Sequence, residues 1–322
     1  MITIILWIFL FFVGYLIIFF SADVFLDNLK ELCIIYRISP FIIGLLIIGI
    51  DPEESIASII AAINGLPYLA VGNVIGNSIV ALTISFAIPA FFYQINIKSI
   101  HQYYFSLLYI CLVLILVGIL IYFGLFIVGI LVIIIYFIYL IRNIKLFYKD
   151  NVVEIASMEE SINPDKIPLE LKEQSKFKKV FLILISFLFI FIGGEFLIYS
   201  AKQIMIMSNI PETFFGLVII AFVTNVEELT LVMKSIKKKS VEIGLGGMVG
   251  KVLWNLTLTF GISAIIIINF VFLWIIFWNW LILVIVIIYF NWVAKKKTMD
   301  WKDGITLIVI LTAFIIINFT LI

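Results

Sequence analysis

The sequence is poor in charge, in histidine and in cysteine, and each shortage excludes a class of protein. Only 13% of the 322 residues are charged, and the net charge of +1 offers no basic surface to nucleic acid. The single histidine, His101, excludes a histidine-rich metal site. The two cysteines, Cys33 and Cys111, lie far apart in apolar sequence, which argues against a disulfide framework. Without a nucleotide-binding motif or a catalytic constellation, we expect neither an enzyme nor a primary pump, and no cofactor.

What the chain has instead is apolar sequence, which makes up 65% of the residues. This is more than one core can hide, so we expect lipid to cover most of the surface. The runs are continuously apolar rather than alternating, which favours helices over a barrel. We predict an all-α polytopic membrane protein whose transmembrane helices span residues 2–20, 40–63, 68–96, 103–123, 125–145, 178–201, 211–235, 243–269, 271–293 and 304–321.

The first of these runs is expected to be a true helix rather than a cleaved signal peptide. It is long enough to cross a bilayer, and it lacks a positively charged start and a small-residue cleavage pattern.

A charged segment divides the chain into two halves of five helices. We expect a first half at 1–145, a linker at 146–177 and a second half at 178–322. Of the 21 lysines and arginines, 19 fall in the odd-numbered connections between spans, counting the linker. Because cytoplasmic loops are enriched in these residues, the odd side is predicted to be cytoplasmic. Both termini are then outside a cell membrane, with the linker inside.

An internal repeat relates the two halves. With a shift of 174 residues, Glu53-Glu54 falls on Glu227-Glu228, and Gly72 and Gly76 fall on Gly246 and Gly250. The copies, at about 40–96 and 211–269, are separated by five spans, and an odd number turns the second copy upside down. Inverted repeats are typical of secondary transporters, whose substrate sites lie near the membrane midplane.

Helix-breaking sequence accompanies each copy. The segment Gly49-Ile50-Asp51-Pro52 is predicted to interrupt span 2, and Val223-Thr224-Asn225 to interrupt span 7. Spans 3 and 8 carry glycines that favour either close packing or unwinding: Gly72, Gly76, Gly246, Gly247 and Gly250. We therefore expect broken helices at the membrane midplane. The backbone carbonyls that such breaks leave without partners are natural cation ligands.

Charged residues fall inside the apolar spans that carry the repeat: Asp51, Glu53, Glu54, Glu227, Glu228 and Lys251. Each would cost roughly 2.5–3.5 kcal/mol facing lipid, so partners are required. A structural ion-pair cluster is one interpretation. An ion site is favoured, because the charges recur in both repeats beside helix breakers. Carboxylate oxygens suit hard cations such as Ca2+, Mg2+ or Na+. Glu54 and Glu228, one turn beyond the breaks, are predicted to point inward.

The repeat motifs resemble those of the calcium/cation antiporters, the superfamily of the sodium/calcium exchangers. That family carries roughly G-T-S-L-P-E on one helix and G-N-x-x-G-S-N on the next. This chain reads Gly49-Ile50-Asp51-Pro52-Glu53-Glu54, then Gly72-Asn73-Val74-Ile75-Gly76-Asn77-Ser78. The second copy reads Val223-Thr224-Asn225-Val226-Glu227-Glu228, then Gly247-Met248-Val249-Gly250-Lys251. The resemblance implies ten helices arranged as five plus five inverted.

In that family the two repeat glutamates are central ligands of Ca2+ and Na+, so the resemblance implies Glu54 and Glu228 as the core of the site. Thr224 matches the family's threonine, whereas Asp51, Asn225, Asn77 and Lys251 replace serines. The expected ion-binding set is Glu54, Glu228, Asp51, Asn77, Thr224, Asn225, Lys251 and Asn255. Within it Glu54, Glu228 and Asp51 are the predicted metal ligands, and Glu53, Glu227 and Asn73 are predicted to lie behind the site.

Of the residues that differ from the family motif, Lys251 has the largest consequences for ion binding. By the alignment its amine lies near Glu228, where relatives place a Na+ ligand. Its ammonium could hold one Na+ position permanently, carry a titrating proton, or repel a divalent ion and abolish transport. It could also extend to the membrane interface.

Three functions are consistent with this sequence. The first is a secondary antiporter for Ca2+, coupled to Na+ or H+, with an altered ion site. The second is a transporter of the same fold with another cation or coupling. The third is a transport-inactive membrane sensor or partner protein in which a lysine–carboxylate cluster replaces the ions. We expect small cations and the lipid bilayer as the partners, and a monomer or weak homo-oligomer.

Overall fold

The computed structural model describes residues 2–35, 52–96, 102–121, 124–150, 169–225, 228–229, 232–233 and 241–321, and it is almost entirely helical in them. The helices of the first half are α1 (Ile2–Ile35), α2 (Pro52–Ile63), α3 (Pro67–Phe92), α4 (Gln102–Leu120) and α5 (Gly124–Asp150). Those of the second half are α6 (Leu169–Ser208), α7 (Glu212–Thr224), α8 (Val241–Trp254, Asn255–Thr259 and Phe260–Ile266), α9 (Trp274–Lys296) and α10 (Trp301–Thr320).

Each of the ten predicted spans overlaps one of these helices, which confirms the polytopic all-α fold. Within the described residues, eight helices are long and apolar enough to cross a membrane. Large apolar side chains such as Phe181, Leu184 and Leu188 of α6 stay exposed on the outer faces. Exposure of this kind is expected where lipid, rather than water, surrounds the protein.

Three helices, α1, α5 and α6, extend beyond their predicted spans into polar sequence. α1 continues to Ile35 rather than residue 20, and α6 begins at Leu169 rather than residue 178. α5 likewise continues to Asp150, inside the charged linker. Backbone hydrogen bonding does not stop where hydropathy falls, so an apolar run marks the part of a helix in lipid rather than its ends.

The first helices of the two halves pack against each other in opposite directions. Trp7, near the start of α1, contacts Tyr199, near the end of α6, with ring centroids 5.5 Å apart. At mid-helix, a Cβ added to Gly14 would lie 2.9 Å from the carbonyl oxygen of Gly193, and a Cβ on Gly193 would lie 2.9 Å from that of Gly14. The reciprocal contact is the one expected of two halves related by inversion.

A second close contact joins the halves at α3 and α7. A Cβ on Gly76 of α3 would lie 2.0 Å from the carbonyl oxygen of Leu217, and one on Gly216 would lie 2.6 Å from that of Leu69. Small residues allow such an approach between membrane helices. α3 is helical throughout Pro67–Phe92, so of the two predicted roles for Gly72 and Gly76 the structure selects close packing, not unwinding.

Irregular backbone occurs instead at two π-helical segments of the second half. α7 is π-helical over Phe215–Ile220 and ends at Thr224, where the predicted break at Val223–Asn225 is observed. α8 is helical through the glycines at 246–250 and turns π-helical at Asn255–Thr259. Of the two roles predicted for Gly246, Gly247 and Gly250, unwinding is therefore not observed, and the irregular turn begins five residues beyond Gly250. The predicted interruption at Gly49–Asp51 lies outside the described residues.

A short sheet ties together two connections. β1 (Ile95–Asn96) follows α3, β2 (Thr298–Met299) follows α9, and the two strands pair antiparallel. Both connections are odd-numbered, so their pairing places them at the same end of the bundle, as the predicted order of spans requires. The Asp300 side chain caps α10 beside β2, and the buried Asp303 accepts a hydrogen bond from Lys296 at 2.9 Å.

Candidate ion-binding site

The candidate site lies where α2 and α3 of the first half meet α7 and α8 of the second. Its charged members are Glu54 of α2, Glu228 just beyond α7, and Lys251 of α8, with exposed fractions of 1%, 9% and 6%. Charges this far from water require close partners. The site is therefore built from both repeats, as the inverted arrangement predicts.

Lys251 lies between the two repeat glutamates. Its Nζ is 2.7 Å from Oε1 of Glu54 and donates a hydrogen bond to Oε1 of Glu228. The ammonium thus joins carboxylates that lie 174 residues apart in sequence and belong to different halves. In this structure Lys251 does not extend to the membrane interface. One ammonium and two carboxylates leave a formal charge of −1 among these three groups.

Amide side chains continue the network away from Lys251. Asn255 Nδ2 donates to Oε2 of Glu54 at 2.7 Å and approaches Oδ1 of Asn77 at 3.4 Å. Asn77 Nδ2 in turn donates to Oγ1 of Thr224 at 2.9 Å. The network crosses between the halves at each of these three contacts, so it orients Glu54 and joins α3 to the end of α7.

The end of α7 is closed by its own side chains. Thr224 Oγ1 donates to the carbonyl of Ile220 at 3.0 Å, and Asn225 Nδ2 donates to that of Ala221 at 2.7 Å. Each bond runs from a side chain to the carbonyl four residues earlier in α7, so it fixes that side chain against its own helix. The buried Oδ1 of Asn225 has no hydrogen-bond partner among the described residues, so it remains available as an oxygen ligand.

Two of the residues predicted to lie behind the site are described. Asn73 is fully buried and donates to Ser58 Oγ at 2.8 Å and to the Glu54 carbonyl at 3.2 Å, which fixes α2 against α3. Glu53 is buried beside Glu54, with 8% of its surface exposed. Asp51 and Glu227 lie outside the described residues. Within those residues, no three carboxylate, histidine or cysteine side chains group together to hold a metal ion.

Sequence reasoning missed a row of polar residues beside Glu54. Trp254 Nε1 donates to Ser55 Oγ at 2.8 Å, and Ser55 Oγ lies 2.6 Å from Thr259 Oγ1. Thr259 Oγ1 is 3.4 Å from Oδ1 of Asn255. The sequence feature that could have indicated this row is a pair of hydroxyl residues in apolar spans: Ser55 directly after Glu54, and Thr259 one turn after Asn255. The contact between them depends on the crossing of α2 and α8.

The arrangement offers oxygen ligands to a small cation. Glu54, Asn77, Thr224 and Asn255 contribute carboxylate, amide and hydroxyl oxygens to one buried hydrogen-bond network, and each of the four residues belongs to a different helix. Such oxygens suit hard cations. Lys251 is the one feature of the described site that disfavours a second positive charge, since its ammonium holds the bridging position.

Comparison with known proteins agrees with this architecture. A sequence model of the family described as sodium/calcium exchanger protein matches residues 6–145 and 178–320, which is most of the chain. The chain belongs to the sodium/calcium exchanger family. The segment left unmatched, 146–177, coincides with the predicted linker.

The individual proteins that resemble this chain share less than a quarter of their aligned residues with it. An uncharacterized membrane protein of Methanocaldococcus jannaschii is 24% identical over 243 residues, covering 74% of this chain and 75% of that protein. The sodium-calcium exchanger NCX_Mj, soaked with 10 mM Na+ and zero Ca2+, superposes with a TM-score of 0.59 at 18% identity, covering 97% of this chain and 98% of the other. Its structure soaked with zero Na+ and Ca2+ gives 0.57 at 19% identity, covering 98% and 99%. The sodium/calcium exchanger family and this chain therefore share one all-helical membrane fold.

Proposed function

We propose that this protein is a secondary antiporter that exchanges a small cation, in the first instance Ca2+, for Na+ or H+ through an ion site altered by Lys251. One observation carries the proposal. Glu54 and Glu228, from equivalent points of the two repeats, converge on a single buried position that already holds a positive group. A position that stabilises an ammonium between two carboxylates also suits a metal cation.

The ligands proposed for the transported ion are the carboxylates of Glu54 and Glu228, with Asp51 as a third metal ligand. The oxygens of Asn77, Thr224, Asn225 and Asn255 complete the proposed set. Ca2+ takes about six to eight oxygens in flexible geometry, and a site assembled from four helices can adjust to that number. Because its members come from both halves, a rocking movement of one half against the other would expose the ion to alternate sides.

A second function is favoured by the same ion pairs. Lys251 is already ion-paired with Oε1 of Glu54 and with Oε1 of Glu228, and removing a partner from a buried pair is costly. A site closed in this way would suit a transport-inactive membrane sensor or partner protein. The two functions differ in whether any cation crosses the bilayer.

A flux screen on one preparation of purified protein in liposomes tests the proposed function. We expect 45Ca2+ uptake that is driven by an outward gradient of Na+ or of H+ and is absent from protein-free liposomes. Parallel assays with 22Na+ and with imposed pH gradients identify the coupling ion. If no gradient drives any of the three ions while the protein remains monodisperse, the transport proposal fails and the transport-inactive alternative takes its place.

The orientation proposed for the protein places the odd-numbered connections and the 146–177 linker in the cytoplasm. Its support is the distribution of 19 of 21 basic residues, together with the β1–β2 pairing that joins two odd connections. In a variant lacking Cys33 and Cys111, we expect a cysteine at position 166 to react with an impermeant maleimide only after the cells are opened. A cysteine at position 202, an exposed position in the last turns of α6 and at the opposite end of that helix from the linker, is the matched site that should react in intact cells. The reverse pattern would refute the orientation.

A further inference from the structure

The position of Lys251 is the one that a bound cation would take. Its Nζ lies 2.7 Å from Oε1 of Glu54 and is hydrogen-bonded to Oε1 of Glu228. A Ca2+ ion bridging the same carboxylates would lie about 2.3–2.6 Å from each oxygen. Ammonium and metal ion therefore cannot bridge the two glutamates at once, and one must displace the other.

We propose that Lys251 is a tethered counter-cation that enters the site whenever the transported ion leaves it, so that the empty carrier returns across the membrane without a counter-ion. The inference rests on the proposed transport function, and it concerns the step after the ion is released. Exchange then remains available to the protein but is not obligatory.

The reason that the empty carrier needs a counter-cation is electrostatic. Without Lys251, the empty carrier would carry two buried carboxylates, Glu54 and Glu228, through a conformational change in which the site is closed to water. Buried uncompensated charge is costly, and this cost is what makes a carrier of this kind wait for a counter-ion. With the ammonium in place, one of the two negative charges is neutralised and both carboxylates have a donor.

The surrounding structure suits a reversible exchange of the two cations. Lysine carries its charge on a flexible four-carbon chain, so the ammonium can withdraw without movement of α8. The Asn255 amide holds Oε2 of Glu54 at 2.7 Å, on the side away from Lys251, and so keeps the carboxylate oriented during the exchange. Arrival of a metal ion then requires displacement of one side chain rather than reassembly of the site.

The test compares two transport modes in liposomes loaded with 45Ca2+. In the exchange mode the outside medium contains unlabelled Ca2+. In the net mode it contains only N-methyl-D-glucamine thiocyanate, at the same thiocyanate concentration and the same pH as inside the liposomes. The permeant anion can then leave together with Ca2+, which prevents a membrane potential from building up. For the wild-type protein we expect net efflux within about threefold of the exchange rate, because the tethered charge removes most of the penalty on the empty carrier. Trapped pyranine should report no change of internal pH.

Lys251→Met removes the ammonium and keeps an unbranched chain. We expect the ratio of net efflux to exchange in this variant to fall at least about tenfold below the wild-type ratio, since its empty site is left with two uncompensated carboxylates. Lys202→Met, the same substitution at an exposed lysine outside the site, is the matched control and should behave as wild type in both modes.

The outcomes separate the two proposals. Wild-type exchange without net efflux, or net efflux accompanied by a matching pH change, would overturn the tethered-cation inference and leave the transport function standing. Equal behaviour of Lys251→Met and wild type in both modes would also overturn it. Absence of both modes in the wild type would end the transport proposal and this inference with it. If Lys251→Met does not fold, the wild-type comparison decides by itself.

Discussion

Glu54→Gln is expected to reduce cation flux by about 100-fold or more, the largest functional effect that we predict for a single substitution. Glu54 is the most buried charged residue of the site, and it contacts both Lys251 and Asn255. Glutamine keeps the shape of the side chain and an oxygen that can accept from Lys251, so the fold should survive. The lost element is the negative charge that balances a metal ion. Flux of 45Ca2+ in liposomes, normalised to folded protein, measures the effect.

Glu228→Gln should act in the same direction, because the two glutamates share the ammonium in the present structure. Glu195→Gln is the matched control. It makes the same change in α6, at a half-buried carboxylate whose Oε2 accepts a hydrogen bond from Asn64 Nδ2 at 3.5 Å. We expect the control to keep flux within about twofold of wild type, as is usual for substitutions outside a site. Wild-type rates in both Glu54→Gln and Glu228→Gln would show that ions cross elsewhere.

Gly76→Ala is expected to have the largest effect on folding. A Cβ at this position would lie 2.0 Å from the carbonyl oxygen of Leu217, and a backbone atom cannot move aside as a side chain can. α3 and α7 would have to separate where Asn77 contacts Thr224, so both the halves and the site would be disturbed. We expect a loss of about 3 kcal/mol or more, the upper range for overpacking, seen as poor yield and a lower Tm in detergent.

Gly118→Ala provides the comparison for this prediction. Its added Cβ would lie 3.2 Å from side-chain atoms of Val128, which can shift. The expected loss is about 1 kcal/mol or less, typical of a mild overpacking. Equal Tm values for the two variants would contradict the close α3–α7 contact. So would an undisturbed Gly76→Ala protein with wild-type flux.

Several features of the fold follow from the sequence because they depend on composition and period alone. A span of about twenty apolar residues has to be a helix in lipid, since its backbone groups can pair only within it. The ten spans and the break at Thr224 could therefore be read in advance, and so could the link between Glu54 and Glu228. The link between the two glutamates came from an internal repeat whose copies are shifted by 174 residues, and such a repeat can be seen in the sequence without knowledge of any contact.

Helix ends and irregular turns could not be predicted as well from the sequence. α1 and α6 extend well beyond their apolar runs, because hydrogen bonding along the backbone continues through polar residues. The irregular turn of α8 lies at Asn255–Thr259 instead of at the glycines before it. Glycine permits unwinding but does not cause it, and packing between helices decides which of its properties is used.

The sequence by itself determined a membrane protein of ten helices in two related halves, and it singled out Glu54, Glu228 and Lys251 as charges that needed partners inside the bilayer. It left four roles open for Lys251. Only the tertiary structure decided that the ammonium stands between both glutamates, and that Asn255, Asn77 and Thr224 form a chain between the halves. The reason is geometric: these contacts join residues 23 to 201 positions apart, and the direction of a side chain across two crossing helices is set by how closely the helices pack.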